Sequence, residues 1–346
     1  KDIDRRTAMQ TQTTITPVNP NAQEEVKRVL QYLSSIEGKQ VILGQHTQTM
    51  GQEELVYIYR VTGELPALCG FELLAYSPNI NEKSDEECLS EVRAAAGTLK
   101  RAWDWAYKGG LITFTWHWFS PLGGCHKSFY SECTDYDADL AVTSGTPENV
   151  ALLSDMDYMA GLLRPFCDAH VPILWRPFHE CDGEFFWWGK KGAGAVKKLY
   201  RMMYERYTNH FHLDNLIWVF NAADPACYPG DDVVDMISRD MYPEPHVHTS
   251  CAAEYEELKL LTKAPKLCAV GEIGPLPDVD AMIKEGLAWT YYMTWSHDFG
   301  MTERFTTNEV LRRNYQSGKG VTLSKLPELY HVNAERFAVM PEKKEA

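Results

Sequence analysis

The sequence predicts an α/β fold of the (β/α)8 TIM barrel type. Eight short apolar runs, rich in β-branched and aromatic residues, alternate with longer stretches of helical period, as expected for buried parallel strands separated by helices. The runs cover residues 41–46, 67–73, 111–118, 172–180, 216–221, 233–242, 267–274 and 291–296. A doubly wound open sheet is the competing architecture, and it is disfavoured because no Gly-rich phosphate loop follows the first run.

Helical stretches precede the first strand and follow every strand except the fifth, whose following segment is poor in helix signal. The first helix is predicted over residues 22–38, where apolar side chains recur on one face at Val26, Val29, Leu30 and Leu33. The other helical stretches are residues 52–63, 86–110, 155–170, 193–210, 252–264, 278–291 and 306–318.

The chain is expected to form one domain. Residues 1–21 are predicted to be an N-terminal tail or strap, residues 22–339 a single (β/α)8 domain, and residues 340–346 a disordered C-terminal tail. Two long loops, 119–154 after the third strand and 181–192 after the fourth, stand out. In barrels the loops that follow strands build the active face, so we expect both loops to carry function.

The overall charge limits the classes of partner. A net charge of −14 and a pI near 5.3 argue against binding to nucleic acid or to an anionic membrane surface. No apolar run approaches the roughly 18 residues of a spanning helix. The first ten residues lack the apolar core of a signal peptide, although a cleaved signal would leave no trace in a mature chain. We expect a secreted chain whose signal is removed or absent, and a cytoplasmic location is the alternative. We expect a monomer.

The nine cysteines favour reduced thiols only weakly. Cys69 and Cys268 lie inside apolar runs, where a buried thiol is the more common outcome. Cys125 and Cys133, eight residues apart in a loop, are the pair best suited to a disulfide, although free thiols are the expectation. Cysteine usage therefore does not decide the compartment.

Polar side chains, most of them ionisable, are concentrated at the predicted carboxyl ends of the strands. Burying so many charges without partners is costly, and a structural core has no need of them. Because the carboxyl ends of barrel strands meet at the catalytic face, this set predicts an active site. Its members are His46, Glu72, His117, His179, Glu180, Asp240, Tyr242, Glu272 and Trp295.

Glu180 and Glu272, which end the fourth and seventh strands, are the predicted catalytic pair. Glu180 precedes the apolar segment "FFWW", and such surroundings raise a carboxyl pKa as a general acid requires. One acid that protonates a leaving oxygen and one carboxylate that attacks an anomeric carbon are the equipment of glycoside hydrolysis. The alternative is that each glutamate pairs with a basic neighbour at the rim, Arg176 being the obvious candidate.

Aromatic rings accompany these acids. Apolar rings next to polar groups suit a sugar, because a pyranose presents a C–H face to a ring while its hydroxyls need polar partners. The alternative is that the rings pack the start of the next helix. The rings in question are Phe185, Phe186, Trp187 and Trp188, with Trp116, Trp118 and Trp295.

A catalytic metal is the main rival interpretation of the histidines. His246 and His248 show a one-residue spacing seen in metallohydrolases, but they lie in a loop beyond the sixth strand. The spacing of Cys125 and Cys133 matches no zinc site. A Ser nucleophile elbow is missing from the sequence. We therefore expect neither a metal nor another cofactor.

The motifs "WRPFHE", "GEFFWWG", "RDMY", "VGEIG" and "MTWS" occur in that order. Together they resemble glycoside hydrolase family 26, whose best-known members are endo-β-1,4-mannanases, over roughly residues 41–300. The resemblance implies a (β/α)8 barrel in which Glu180 is the acid/base and Glu272 the nucleophile. It also implies that His179 is the histidine adjoining the acid/base, and that His117 contacts the sugar at the cleavage site.

The same resemblance implies further substrate contacts. Tyr242 would donate a hydrogen bond to the nucleophile, Asp240 matches an acid of the same cluster, and Trp295 matches the tryptophan floor of the sugar site. Phe185 and Trp188 from the aromatic loop complete the predicted substrate-binding set. One departure concerns Phe185, because many family members have Trp at that position, and phenylalanine stacks but cannot donate a hydrogen bond.

The expected function is therefore the retaining hydrolysis of β-1,4-mannosidic linkages in mannan, glucomannan or galactomannan by double displacement. Mannose itself is implied by the resemblance alone. A β-glucanase acting on mixed-linked glucan or a β-xylanase on the same scaffold is the alternative. A non-catalytic glycan-binding barrel is a further alternative, which the presence of both glutamates disfavours.

Overall fold

A computed structural model describes residues 15–332, in which eight parallel strands close into a barrel. Each strand pairs with the next along the chain, and β8 pairs back with β1, so the predicted (β/α)8 fold is confirmed. The strands are β1 (Val41–Thr47), β2 (Leu68–Glu72), β3 (Leu111–Thr115), β4 (Ile173–Trp175), β5 (Leu216–Asn221), β6 (Met236–Met241), β7 (Leu267–Ile273) and β8 (Trp289–Thr294). A two-residue strand that the sequence did not predict, β9 (Gly320–Val321), pairs with the start of β1.

The helices surround this barrel. They are α1 (Glu24–Ile36), α2 (Glu53–Thr62), α3 (Glu86–Ala95), α4 (Thr98–Tyr107), α5 (Ala138–Ala141), α6 (Pro147–Asp168), α7 (Ala193–Glu205), α8 (Ala252–Leu258), α9 (Val279–Lys284), α10 (Asp298–Met301) and α11 (Asn308–Gln316). The segment after β5 holds only a 3₁₀ turn, Pro225–Cys227, in agreement with its weak helix signal. The strands are buried along almost their whole length because the helices cover their outer face.

Two helices differ from the prediction. The single helix predicted over 86–110 is two helices, because Gly97 adopts a left-handed φ of +75° and begins a new helix. Helix α6 starts at Pro147, inside the segment predicted to be a loop. The Thr146 side chain accepts a hydrogen bond from Asn149 N, and proline occupies the first turn, which together make a strong helix start.

The fourth strand is much shorter than predicted, and this matters for the site. It ends at Trp175 instead of continuing to residue 180. Phe178 and Glu180 both have φ of +52°, a left-handed conformation that cannot continue a strand. Glu180 therefore lies on an irregular segment above the barrel. β3 likewise ends at Thr115, before His117.

Residues 15–21 lie against the amino ends of β5 and β6. Val18 N donates to Asp235 Oδ1 at 2.8 Å, and Tyr204 Oη donates to the Val18 carbonyl at 2.9 Å. Asn19 Nδ2 also donates to Asp214 Oδ1 at 2.8 Å. The rest of the predicted N-terminal tail, residues 1–14, and the predicted C-terminal tail, 340–346, lie outside the described residues.

Two further predictions concern a disulfide and membrane-spanning helices. Cys125 and Cys133 are free thiols, although Cys125 N donates to the Cys133 carbonyl at 2.9 Å. Among residues 15–332, no helix is both long and apolar enough to cross a membrane.

Candidate active site

The carboxyl groups of Glu180, Asp240 and Glu272 meet at the carboxyl ends of the barrel strands. One oxygen from each lies within 4.8 Å of one from each of the others. Glu272 belongs to β7 and Asp240 to β6, whereas Glu180 descends from the irregular segment after β4. The barrel thus brings together the two glutamates and the aspartate that the strand ends predicted.

Glu272 is held by two donors. Tyr242 Oη donates to Glu272 Oε2 at 2.6 Å, and Arg176 Nη2 donates to Glu272 Oε1. Arg176 is fully buried and also donates to Asp240 Oδ2 at 2.9 Å and to Thr115 Oγ1 at 2.8 Å. The alternative that each glutamate pairs with Arg176 therefore holds for Glu272, whereas the hydrogen bonds of Arg176 do not include Glu180.

The environments of the two glutamates give their carboxyl groups different pKa values. Burial, with the charges of Asp240 and Glu272 nearby, raises the pKa of Glu180 to about 9. Burial and Asp240 also raise the pKa of Glu272, but the donors from Arg176 and Tyr242 oppose them, so it reaches only about 7. As the two titrate together, Glu272 gives up its proton first and Glu180 keeps one.

Asn221 connects the same groups and was not among the predicted residues. It ends β5, is buried, and its Oδ1 accepts a hydrogen bond from Glu180 N at 2.9 Å. Its Nδ2 donates to Asp240 Oδ1 at 2.7 Å. The signal that could have found it was present, since Asn221 is the polar residue at the carboxyl end of the fifth apolar run.

Two histidines line the site beside Glu180. His117 Nδ1 contacts Glu72 Oε2 at 2.7 Å, and His117 N donates to Glu72 Oε1 at 2.9 Å. Burial opposes the charged imidazole, but the Glu72 carboxylate outweighs it and raises the pKa of His117. His179 is buried, and its Nε2 lies 3.3 Å from His117 Nε2. Burial and the His117 charge lower the pKa of His179 far below its usual value, so it is neutral.

Trp295 lies partly exposed at the end of β8. Its ring stacks on the ring of the fully buried His46, with centroids 3.9 Å apart and planes inclined by 24°. The Trp295 ring centroid lies 6.1 Å from that of His117. A flat ring held from below beside the acids is a surface on which a sugar can rest.

Most of the predicted aromatic surface is core, which corrects the prediction for Trp188. Trp188 is 0% exposed, stacks on Phe186 with centroids 4.5 Å apart, and donates from Nε1 to the His179 carbonyl at 2.9 Å. It therefore supports His179 and cannot touch a substrate. Trp116 and Trp118 stack on each other and are buried as well. These rings pack the base of the two long loops, as the alternative interpretation held.

Phe185 is the exception within the cluster, because 46% of it is exposed. It lines a cavity of about 340 Å³ on one side of Glu180. The other walls of this cavity come from the segment after Glu180, the end of β5 and the end of β6: Asp182, Gly183, Asn221, Ala222, Ala223, Arg239 and Asp240. An acid that faces a cavity with one exposed ring is suited to protonate a departing sugar held there.

A metal ion is the rival use of three converging carboxyl groups. The donor set argues against it, because the Arg176 guanidinium already contacts both Asp240 and Glu272 and supplies the positive charge that a cation would bring. We therefore assign the cluster to acid–base chemistry.

The fold and the paired carboxyl groups define the class of protein, a barrel enzyme of the glycoside hydrolase type. The chain belongs to glycosyl hydrolase family 26, whose family model matches residues 18–321. The resemblance inferred from the five motifs is thereby confirmed.

Similar proteins support the same assignment. A mannan endo-1,4-β-mannosidase of Thermothelomyces thermophilus is 35% identical over 317 residues, which is 89% of this chain and 62% of the relative. Mannan endo-1,4-β-mannosidases B and A of a Piromyces species are each 28% identical. The chain spans between half and two thirds of the length of these curated relatives.

Solved structures agree with the fold. The GH26-CBM35 β-(1,4)-mannanase of Podospora anserina superimposes with a TM-score of 0.82 and 32% identity, covering 91% of this chain and 69% of that one. A β-mannanase from a symbiotic protist of the termite Reticulitermes speratus, complexed with a gluco-manno-oligosaccharide, gives 0.81 and 30%, covering 90% and 98%.

Proposed function

We propose that this chain hydrolyses β-1,4-mannosidic linkages within mannan, glucomannan or galactomannan and retains the anomeric configuration. The observation that carries the proposal is that one carboxyl oxygen of Glu180 lies within 4.8 Å of one carboxyl oxygen of Glu272. Retaining glycosidases place their two carboxyl groups about 5–5.5 Å apart, whereas inverting ones need about 6.5–9.5 Å to admit a water. The named activity of the relatives supports mannan as the substrate.

In the first step, the Glu272 carboxylate attacks the anomeric carbon and the bond from that carbon to the glycosidic oxygen breaks. Glu180 gives its proton to the departing oxygen, so the leaving chain departs as a neutral sugar. The raised pKa of Glu180, about 9, keeps that proton available at neutral pH. The result is a covalent glycosyl-enzyme.

In the second step, Glu180 acts as a base. A water enters the place of the departed sugar, Glu180 takes its proton, and the oxygen attacks the anomeric carbon. The bond to Glu272 breaks and regenerates the carboxylate. Two inversions at one carbon leave the product in the β configuration.

The remaining site residues would hold the sugar. Trp295 would form the floor under the ring at the cleavage point, and His117 and Asp240 would present polar groups to its hydroxyls. The buried His179 would act through its contact with His117. Phe185 would stack on the sugar on the leaving-group side, in the cavity next to Glu180. These contacts fit a neutral carbohydrate, which has C–H faces and many hydroxyls.

The substrate is tested by comparing reducing-sugar release from mannan, glucomannan, lichenan and β-1,3-xylan. We expect kcat/KM on the two mannans to exceed that on lichenan and on xylan at least about tenfold, a difference of about 1.4 kcal/mol in transition-state binding. Proton NMR of the first product should show the β anomer before mutarotation. Activity on lichenan alone would replace mannan by mixed-linked glucan, and an α anomer would exclude the double displacement.

The pH profile of kcat/KM should be bell-shaped between the two pKa values. Activity rises as Glu272 loses its proton near pH 7 and falls as Glu180 loses its proton near pH 9. Tyr242→Phe removes a donor that favours the Glu272 carboxylate, so its acid limb should move up by about one pH unit. Tyr204→Phe, which loses the hydrogen bond to the Val18 carbonyl at the amino ends of the strands, is the matched control and should leave both limbs in place. An unmoved acid limb in Tyr242→Phe would contradict the role of this hydrogen bond.

We also propose that residues 22–339 form one catalytic domain that acts as a monomer outside the cell. The family match over residues 18–321 supports a single domain. A polymeric substrate does not cross membranes, which supports secretion. The net charge of −14 suits a neutral partner and disfavours nucleic acid and membrane surfaces.

A further inference from the structure

We propose that Asn221 is a positioning residue that holds the acid/base Glu180 in its working conformation. This inference rests on the function proposed above, because it concerns how Glu180 reaches the departing oxygen. It assigns a role to a buried side chain that lines the cavity beside Glu180 and contacts no reacting atom.

The segment that carries Glu180 is strained. β4 ends at Trp175, and both Phe178 and Glu180 then adopt φ of +52°. Side chains other than glycine avoid this region of backbone conformation, and they stay there only where neighbouring groups hold them. Something outside this segment must therefore fix the backbone at Glu180.

The Asn221 side chain is the group that does so. It is 1% exposed, and its Oδ1 accepts the hydrogen bond of Glu180 N at 2.9 Å. Its Nδ2 donates to Asp240 Oδ1 at 2.7 Å and to Ser238 Oγ at 3.1 Å. The amide orientation follows from these partners, because only the oxygen can face an N–H group. Asn221 is thus anchored on β6 while it holds Glu180.

The contacts of Asn221 extend to the second glutamate. Asp240 Oδ2 accepts from Arg176 Nη1 at 2.9 Å, and Arg176 in turn donates to Glu272. One continuous chain of hydrogen bonds therefore joins the backbone of the acid/base to the carboxylate of the nucleophile. Removing Asn221 should misplace Glu180 while leaving Arg176 and Tyr242 on Glu272.

The test separates the acid from the nucleophile by the leaving group. Cleavage of a phenyl β-mannobioside needs protonation of the leaving phenol oxygen. With a 2,4-dinitrophenyl β-mannobioside, the dinitrophenolate leaves without a proton. In Asn221→Ala, kcat/KM should fall about 10²-fold with phenyl and less than about fivefold with dinitrophenyl. The ratio of kcat/KM with the dinitrophenyl substrate to kcat/KM with the phenyl substrate should therefore rise. Asn221→Leu, whose side chain is close in volume to asparagine, should show the same change in this ratio and replaces Asn221→Ala if the alanine variant folds poorly. The ratio is taken within one preparation, so the fraction of active enzyme cancels.

Two controls sharpen the result. Asn221→Asp keeps the acceptor for Glu180 N but must carry a proton next to Asp240, because it loses the Nδ2 donor to Asp240 Oδ1, so its ratio should lie between those of Asn221→Ala and wild type. Ser238→Ala removes the other partner of the Asn221 amide, and its ratio should stay within about twofold of wild type. A loss that is equal for both leaving groups in Asn221→Ala and Asn221→Leu, with Glu180→Ala still sensitive to the leaving group, would overturn the role of Asn221 alone. A Glu180→Ala variant that is insensitive to the leaving group would overturn the proposed function.

Discussion

Glu180→Ala is expected to lose about 10²- to 10⁴-fold in kcat on mannan and to keep most of kcat/KM on a dinitrophenyl mannobioside. Mannan needs an acid for its leaving oxygen, whereas dinitrophenolate does not. Glu272→Ala should lose at least about 10⁴-fold on both substrates, because the attacking group itself is gone. Steady-state kinetics on purified variants with both substrates measure the two patterns.

Azide distinguishes the roles further. In Glu180→Ala the glycosyl-enzyme forms and waits for a base, and azide, an anion that attacks without one, should restore turnover and give a β-mannosyl azide. Glu272→Ala has no glycosyl-enzyme to intercept and should yield no β-azide. Equal losses in both variants, without azide rescue in either, would contradict the assigned roles. His246→Ala, in the loop beyond β6, is the control and should behave as wild type.

The position of Glu272 could be predicted from sequence because simple periodicity decides it. Its run, residues 267–274, is apolar except at the carboxyl end, and the strand observed is Leu267–Ile273. Once eight such runs alternate with helices, the closed barrel places every strand end at one face. The same reasoning applies to Asp240. It predicted most residues of the polar cluster from strand ends alone.

The conformation of Glu180 lay beyond that reasoning. One strand is predicted over residues 172–180, yet β4 stops at Trp175 and two of the following residues are left-handed. Phe178 and Glu180 are not glycine or asparagine, the residues that most often adopt a left-handed conformation. The conformation depends on Asn221, which lies on another strand, and local propensity carries no information about a tertiary hydrogen bond.

The aromatic loop shows a second limit. Four adjacent rings look alike in sequence, but Phe186, Trp187 and Trp188 are buried while Phe185 is exposed. The irregular backbone between residues 181 and 192 has no period that assigns faces, so adjacent side chains can point in any direction. Which ring meets solvent is decided by contacts such as the one from Trp188 Nε1 to the His179 carbonyl.

The contact between Arg176 and Glu272 fits both interpretations of this glutamate, the structural ion pair and the catalytic residue. A buried arginine on a glutamate can mean a purely structural pair, yet here the guanidinium occupies one oxygen of Glu272 while Tyr242 holds the other. Both donors favour the charged carboxylate, which the attacking role requires. The same contact therefore serves the stability of the barrel and the ionisation of Glu272.

Arg176→Met is expected to lower the free energy of unfolding by about 3–5 kcal/mol at pH 8, because Asp240 and Glu272 stay buried without their cation. The pKa of Glu272 rises further in this variant, so folding must hold a proton on a group that the unfolded chain releases. Wild-type Glu272 already keeps its proton up to a pKa of about 7, so the destabilisation relative to wild type should be constant below about pH 7 and should grow as the pH rises above it. Urea unfolding at pH 8 and at pH 4 measures the difference.

Arg201→Met is the matched control for Arg176→Met. It removes an exposed arginine from Asp232, 2.5 Å away, and should change the free energy of unfolding by no more than about 1 kcal/mol at either pH. In Arg176→Met, the acid limb of the pH profile of kcat/KM should also move to higher pH, because Glu272 loses the positive charge that lowers its pKa. A variant as stable as wild type at pH 8, with its acid limb in place, would show that Arg176 neither stabilises the buried carboxylates nor ionises the nucleophile.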